Sequence, residues 1–166
     1  TDPSGLLTQK EMFQDLLSEN TVAMVTVLCR RACAIETRFD ESLPRRQDWD
    51  WAIRASRNYK MRYLDAELVD SYAQKDSISY APDKLHTALE IMYRKYRGDI
   101  ERDAALSASW VERRADAAFG AGVSAAALCW RAFCLGRKGK YLIKWLLCAL
   151  RLQGLYLRVR EERTRK

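Results

Sequence analysis

Apolar residues recur at three- and four-residue spacing along nearly all of this 166-residue chain, and nowhere do they alternate long enough to make a strand. That pattern restricts the fold to helices packed on helices. Thr8-Gln-Lys-Glu11 is a capping-box pattern ahead of Met12, Phe13, Leu16 and Leu17. A second helix is expected over 21–39. Its apolar residues Val22, Val25, Leu28, Cys29, Ala32 and Ile35 occupy nearly every face, which predicts burial. After the polar break DESLPRRQD, Trp51, Ile53, Ala55 and Tyr59 begin another helix, and Tyr63, Leu64, Leu68 and Tyr72 a further one. QKDSISYAPD is the next break. Asp83 is then the expected N-cap of a helix through Leu85, Leu89, Met92 and Tyr93, ended by Gly98. Helical pattern continues over 100–114 with a restart at Ser109-x-x-Glu112, and the last two helices are expected over 121–135 and 139–160. The expectation is an all-α domain of seven or eight helices over 1–157 and a basic tail over 158–166.

The prolines add a second layer. Pro3, Pro44 and Pro82 each precede a helix pair, and a further step of similar size reaches Gly120 and Gly122 before the final pair. Four degenerate helical hairpins stacked on one another fit this spacing, because each hairpin would hide its apolar face against its neighbour. An irregular helical bundle fits it as well.

The stretch YAPDKLHTALEIMYRKYRGDIERDAAL favours the stack, since it resembles a pentatricopeptide repeat. The matching residues are Pro82 and Asp83, then Leu89, Ile91, Tyr93 and Lys95, then Gly98, Asp99, Ile100 and Glu101, then Ala104 and Leu106. The preceding unit matches more loosely, through Trp51, Ile53 and Ala55 and then Leu64, Ala66 and Leu68. The final hairpin lacks the Pro-Asp start. The resemblance implies stacked antiparallel hairpins in a right-handed solenoid. Members of that family mostly bind single-stranded RNA in mitochondria and chloroplasts, one base per repeat. A set this short would touch only two or three bases, which points instead to a scaffold. In size, helix count and repeat character the chain also resembles the helical-repeat supernumerary subunits of euglenozoan mitochondrial ATP synthase. That likeness implies a protein of the matrix or the matrix face of the inner membrane, held to the α subunits of the enzyme's catalytic head. Organellar single-stranded RNA is the alternative partner.

Charge is uneven. Residues 1–83 carry 11 basic and 14 acidic groups, and residues 84–166 carry 18 and 8, so the second half invites an acidic partner or is simply a solvated basic face. Lys144, Arg151 and Arg158 recur every seven residues in the last expected helix and are the candidate partner-binding stripe. Trp145, Leu146, Leu152, Leu155 and Val159 fill most of the rest of that helix. A face so wide must be buried by its own domain or by a partner, and burying Trp145 with two of the leucines would contribute about 5–8 kcal/mol.

Chemistry-bearing motifs are few. Neither a catalytic constellation nor a cofactor or metal site is expected. His86 is the single histidine, so neither a Ser-His-Asp nor a Cys-His set assembles, and it reads as a helix-surface residue. Cys29, Cys33, Cys129, Cys134 and Cys148 are an odd set within apolar segments, expected to be reduced, buried small hydrophobes. GAGVSA at 120–125 mimics a dinucleotide loop but follows a charged helical segment rather than a strand, which predicts a tight turn. GRKGKY at 136–141 lacks the spacer and hydroxyl of a phosphate loop and reads as a basic turn that can touch acidic side chains. The longest uncharged stretch, from Ala117 to Trp130, is 14 residues, too short to span a bilayer of about 30 Å. A start at Thr1 rather than Met is expected either of a chain whose leading segment has been removed or of a sequence that simply begins there.

Overall fold

The protein is described by a computed structural model covering residues 9–64, 66, 69, 70, 72 and 81–164, with side chains described through 159. It is all-helical, with eight α-helices and no strand among the described residues. The chain divides into two compact units, Thr1–Tyr80 and Ala81–Lys166. Each is described by itself.

In the first unit, α1 (Gln9–Ser18) packs on α3 (Gln47–Asn58). Leu16, Leu17, Leu43, Trp49, Ala52 and Ile53 form the buried interior, and the Trp49 indole N–H donates to the carbonyl of Leu16. Trp49 therefore joins the two helices by area and by a hydrogen bond that its buried nitrogen requires. Thr8 lies outside the described residues, so its capping box does too. The expected helix over 21–39 does not form. It is replaced by a single 3-10 turn, Met24–Thr26, and the short helix α2 (Arg31–Glu36). Val25, Leu28 and Ile35 are exposed. The run Thr21-Val-Ala-Met-Val-Thr-Val27 explains this, since β-branched residues lose side-chain freedom in a helix and only tertiary packing would compensate. The helix expected through Tyr63, Leu64 and Tyr72 is also absent at those residues, all three of which are exposed; Leu68 lies outside the described residues.

The second unit runs α4 (Pro82–Ile100), α5 (Ala104–Gly120), α6 (Ala126–Gly136), α7 (Gly139–Ala149) and α8 (Gln153–Thr164). Each helix packs on the next one along the chain, the arrangement of a helical repeat. The helix α4 starts on Pro82 at its first position, with Ala81 as the flanking cap residue, so Asp83 sits inside the first turn rather than capping it. Proline suits that position because the amide it lacks would have no helical partner there. Gly98 does not end the helix: Ile100, fully buried, holds the last turn, and Arg97 donates to Glu101 at 2.9 Å. The break comes instead at 101–103. Asp103 caps α5 by accepting from the Leu106 amide at 2.8 Å, and the Ser109 restart does not occur.

Two helix ends share one geometry. At the end of α5, Val123 N donates to Ala118 O and Gly122 N to Phe119 O, with Gly122 left-handed at φ 72°. This is the Schellman turn, and it makes GAGVSA the tight turn the sequence predicts. At the end of α7, Leu152 N donates to Leu147 O and Arg151 N to Cys148 O, with Arg151 in the left-handed place at φ 58°. The single helix expected over 139–160 is thereby broken at 150–152. The turn lets Gln153, buried at the start of α8, donate to the carbonyls of Phe119 at 2.9 Å and Val123 at 3.1 Å. One side chain thus ties α8 to the end of α5. A left-handed arginine carries steric strain that glycine does not. Arg151→Gly is accordingly expected to leave unfolding free energy unchanged or raise it by up to about 1 kcal/mol, read from urea melts; a loss above about 1 kcal/mol would refute this turn.

Candidate functional site

Alanines on α5 allow close helix packing. Ala115 and Ala118 meet Cys129 and Ala132 of α6 in a core that also holds Val111, Phe119 and Tyr141. The same helix carries Glu112 and Asp116, one turn apart and therefore on one side. That side faces α7. Lys138 donates to Glu112 Oε2 at 2.6 Å, Lys140 to Asp116 Oδ2 at 3.2 Å and Lys144 to Asp116 Oδ1 at 2.6 Å. The hydroxyl of Tyr141, fully buried between them, lies 3.3 Å from Glu112 Oε2 and from Asp116 Oδ2 and shares its proton with the two. Gly136 is fitted to this arrangement, because a Cβ there would stand 2.6 Å from Glu112 Oε1.

Electrostatics follow the geometry. Burial, then the charges of Asp116 and Glu112, pushes the Tyr141 phenol far above its ordinary range, so it stays a donor. Burial of Asp116 opposes its ionisation, but Lys144 and Lys140 outweigh that and hold its carboxyl below its ordinary 3.8. A carboxyl lowered in the folded state stabilises the fold above its unfolded value, and the contribution disappears as pH falls through the lower folded value. The thermal midpoint is therefore expected to drop on acidification below roughly pH 4, and to drop less in Asp116→Asn. Parallel acid profiles for the two proteins would refute this role of Asp116.

A second polar cluster joins α4 to α5. Arg114 makes two 2.7 Å bonds to the Glu90 carboxylate and lies 4.0 Å over the Tyr93 ring. The Tyr93 hydroxyl donates to Glu101 at 2.8 Å.

With its lysines drawn against α5, α7 turns apolar residues outward. Ile143, Leu146 and Leu150 are 59%, 44% and 64% exposed, and at three- and four-residue spacing they form one row. On α8 and the turn before it, Leu152, Leu155 and Val159 are exposed too. Trp145 alone of the expected apolar face is well packed, its ring 5.1 Å from that of Trp130. The burial foreseen for the leucines is not achieved within the chain.

The candidate residues part company here. Lys144 is three-quarters covered and bonded to Asp116, Arg151 sits in the α7–α8 turn, and Arg158 is exposed on α8, so the seven-residue stripe does not lie along one helix. Lys138 and Lys140 of GRKGKY do touch acidic side chains, those of α5. The partners Glu112 and Asp116 went unrecognised in the sequence; their spacing was legible, but not what they would face. His86 is half-buried on α4, its Nδ1 without a hydrogen-bond partner among the described residues. Of the cysteines, Cys33 and Cys129 are buried, whereas Cys29 and Cys134 are exposed because the helix meant to bury Cys29 does not form and Cys134 is on the outer side of α6. Burial, and then Cys148, pushes the Cys129 thiol up to about 11, leaving it protonated and inert. Among the described residues no three His, Cys, Asp or Glu side chains form a metal-binding group, and no helix is long and apolar enough to cross a membrane. Compared with protein-family models, curated proteins and solved structures, the chain has no match.

Proposed function

We propose that this chain is a non-catalytic accessory subunit of a large mitochondrial assembly, held by the faces of its helices. The favoured attachment is the catalytic head of the ATP synthase through its α subunit, in the matrix or on the matrix face of the inner membrane. The observation that carries the reading is the outward apolar row of α7, continued by Leu152, Leu155 and Val159. Such a patch marks an interaction site. The mitochondrial setting rests on the resemblance of 82–106 to a pentatricopeptide repeat and on the likeness in size and helix count to the ATP synthase subunits. The test is affinity purification of the tagged chain from mitochondrial lysate at physiological salt. Co-elution with the ATP synthase α subunit is expected, and elution alone would sink the proposal.

The basic second half favours one other reading, an organellar protein that binds single-stranded RNA. Against it, Tyr93 and Tyr96 are buried and unavailable to stack on bases, and Lys138, Lys140 and Lys144 are occupied by α5 carboxylates. RNA binding that weakens steeply with salt would favour this reading instead.

A further inference from the structure

We propose that the outer face of α7 receives an acidic amphipathic helix of a partner protein, an inference that rests on the accessory-subunit reading and names the partner's chemistry. Ile143, Leu146 and Leu150 form a row without a charged residue in it. The three lysines nearest the row are paired with Glu112 and Asp116 of α5, with Lys144 largely covered and Lys138 and Lys140 about half exposed. Along the chain the row is flanked by two further exposed cations, Arg137 before α7 and Arg151 after it. Both are left-handed, at φ 49° and 58°, in helix-ending positions where glycine is the ordinary residue. Strained, non-glycine residues of this kind concentrate at functional sites. No acidic residue occurs between Asp116 and Glu161, so the chain supplies no counter-charge of its own from α6, α7 or their turns.

The spacing defines the occupant. At a rise of about 1.5 Å per residue, the apolar row from Ile143 to Leu150 is about 10 Å long, and the two arginines that bracket it stand about 20 Å apart. A partner helix of about four turns fits that length, with leucine-like residues at three- and four-residue spacing and a carboxylate near each end. Recognition would repeat what α5 already does to the opposite side of α7, where a helix presents carboxylates to cations beside packed apolar side chains. A lipid surface fits less well, because interfacial helices turn free cations to the headgroups, and the lysines of α7 are already paired with Glu112 and Asp116.

The test uses the full chain and two synthetic helical peptides of about 18 residues with identical leucine rows, one ending in glutamates and the other in lysines. Fluorescence anisotropy at physiological salt is expected to give about tenfold or tighter binding of the glutamate peptide over the lysine peptide. Arg137→Glu combined with Arg151→Glu should reverse that order, an outcome that simple loss of folding cannot produce. Leu146→Asp, with helicity checked by circular dichroism, should abolish binding of both peptides. Equal binding of the two peptides, or binding that survives Leu146→Asp, overturns the proposal. So does either of two losses caused by Leu146→Asp: loss of binding to phosphatidylcholine vesicles with about one-fifth phosphatidylserine, or loss of concentration-dependent self-association, each in the absence of peptide preference. If the Leu146→Asp chain still co-elutes with the ATP synthase, the docking face is wrong and the accessory reading stands. Charge-selective peptide binding supports the face even if the wild-type chain elutes alone, which would sink only the accessory reading.

Discussion

Replacing Trp110 by alanine is expected to lower the unfolding free energy by about 3–5 kcal/mol, among the largest losses of any single change in residues 81–166. Trp110 is fully buried on α5, with its ring 6.4 Å from that of Tyr93 on α4. Removing it leaves a void between two helices whose remaining contacts cannot close it. The neighbouring Arg114 would lose part of its setting too, since it lies over the Tyr93 ring that Trp110 supports. Trp110→Phe keeps an aromatic ring there and should cost about 1–2 kcal/mol. Urea denaturation followed by circular dichroism measures both. A loss below about 1 kcal/mol for the alanine variant would mean that α4 and α5 do not pack through this residue.

Tyr141→Ala should cost a similar amount, about 3–5 kcal/mol, because Tyr141 combines full burial with a hydroxyl shared by two carboxylates. Tyr141→Phe separates the two contributions. It keeps the packing and removes one neutral donor, and Glu112 and Asp116 keep their lysines, so a loss of about 1–2 kcal/mol is expected. The alanine variant has a consequence that the phenylalanine variant does not. Tyr141 is the buried residue that fixes which side of α7 faces α5, and without it the outward row of Ile143, Leu146 and Leu150 loses its fixed direction. Partner capture should therefore fall in Tyr141→Ala and persist in Tyr141→Phe. Equal stability of the two variants would refute the central place of the ring.

The all-helical class was legible in the sequence because a 3.6-residue apolar period is a local property that each segment carries alone. So was the existence of α4, from the spacing of Leu85, Leu89, Met92 and Tyr93. Boundaries were less legible. Gly98 reads as a stop, but burial of Ile100 outweighs the modest helix penalty of one glycine. Over 21–39 the error ran the other way: apolar content suggested a buried helix, while the β-branched run weakened it and nothing packed on Val25 or Leu28.

The candidate site was legible only as ingredients. Sequence alone determined that the second half is basic, that its last helices are too apolar to be solvated on all sides, and that carboxylates stand one turn apart at 112 and 116. Only the tertiary structure decided which cations those carboxylates would take. Pairing them with Lys138, Lys140 and Lys144 holds α7 against α5 with Ile143, Leu146 and Leu150 outward. The Schellman turn at Arg151 then ended the helix and split the seven-residue arginine and lysine stripe. The lysine pairing depends on contacts between residues about 25 positions apart, and the turn, though local in its own bonds, is accompanied by the bonds of Gln153 to carbonyls at least 30 positions away, none of which a local period encodes.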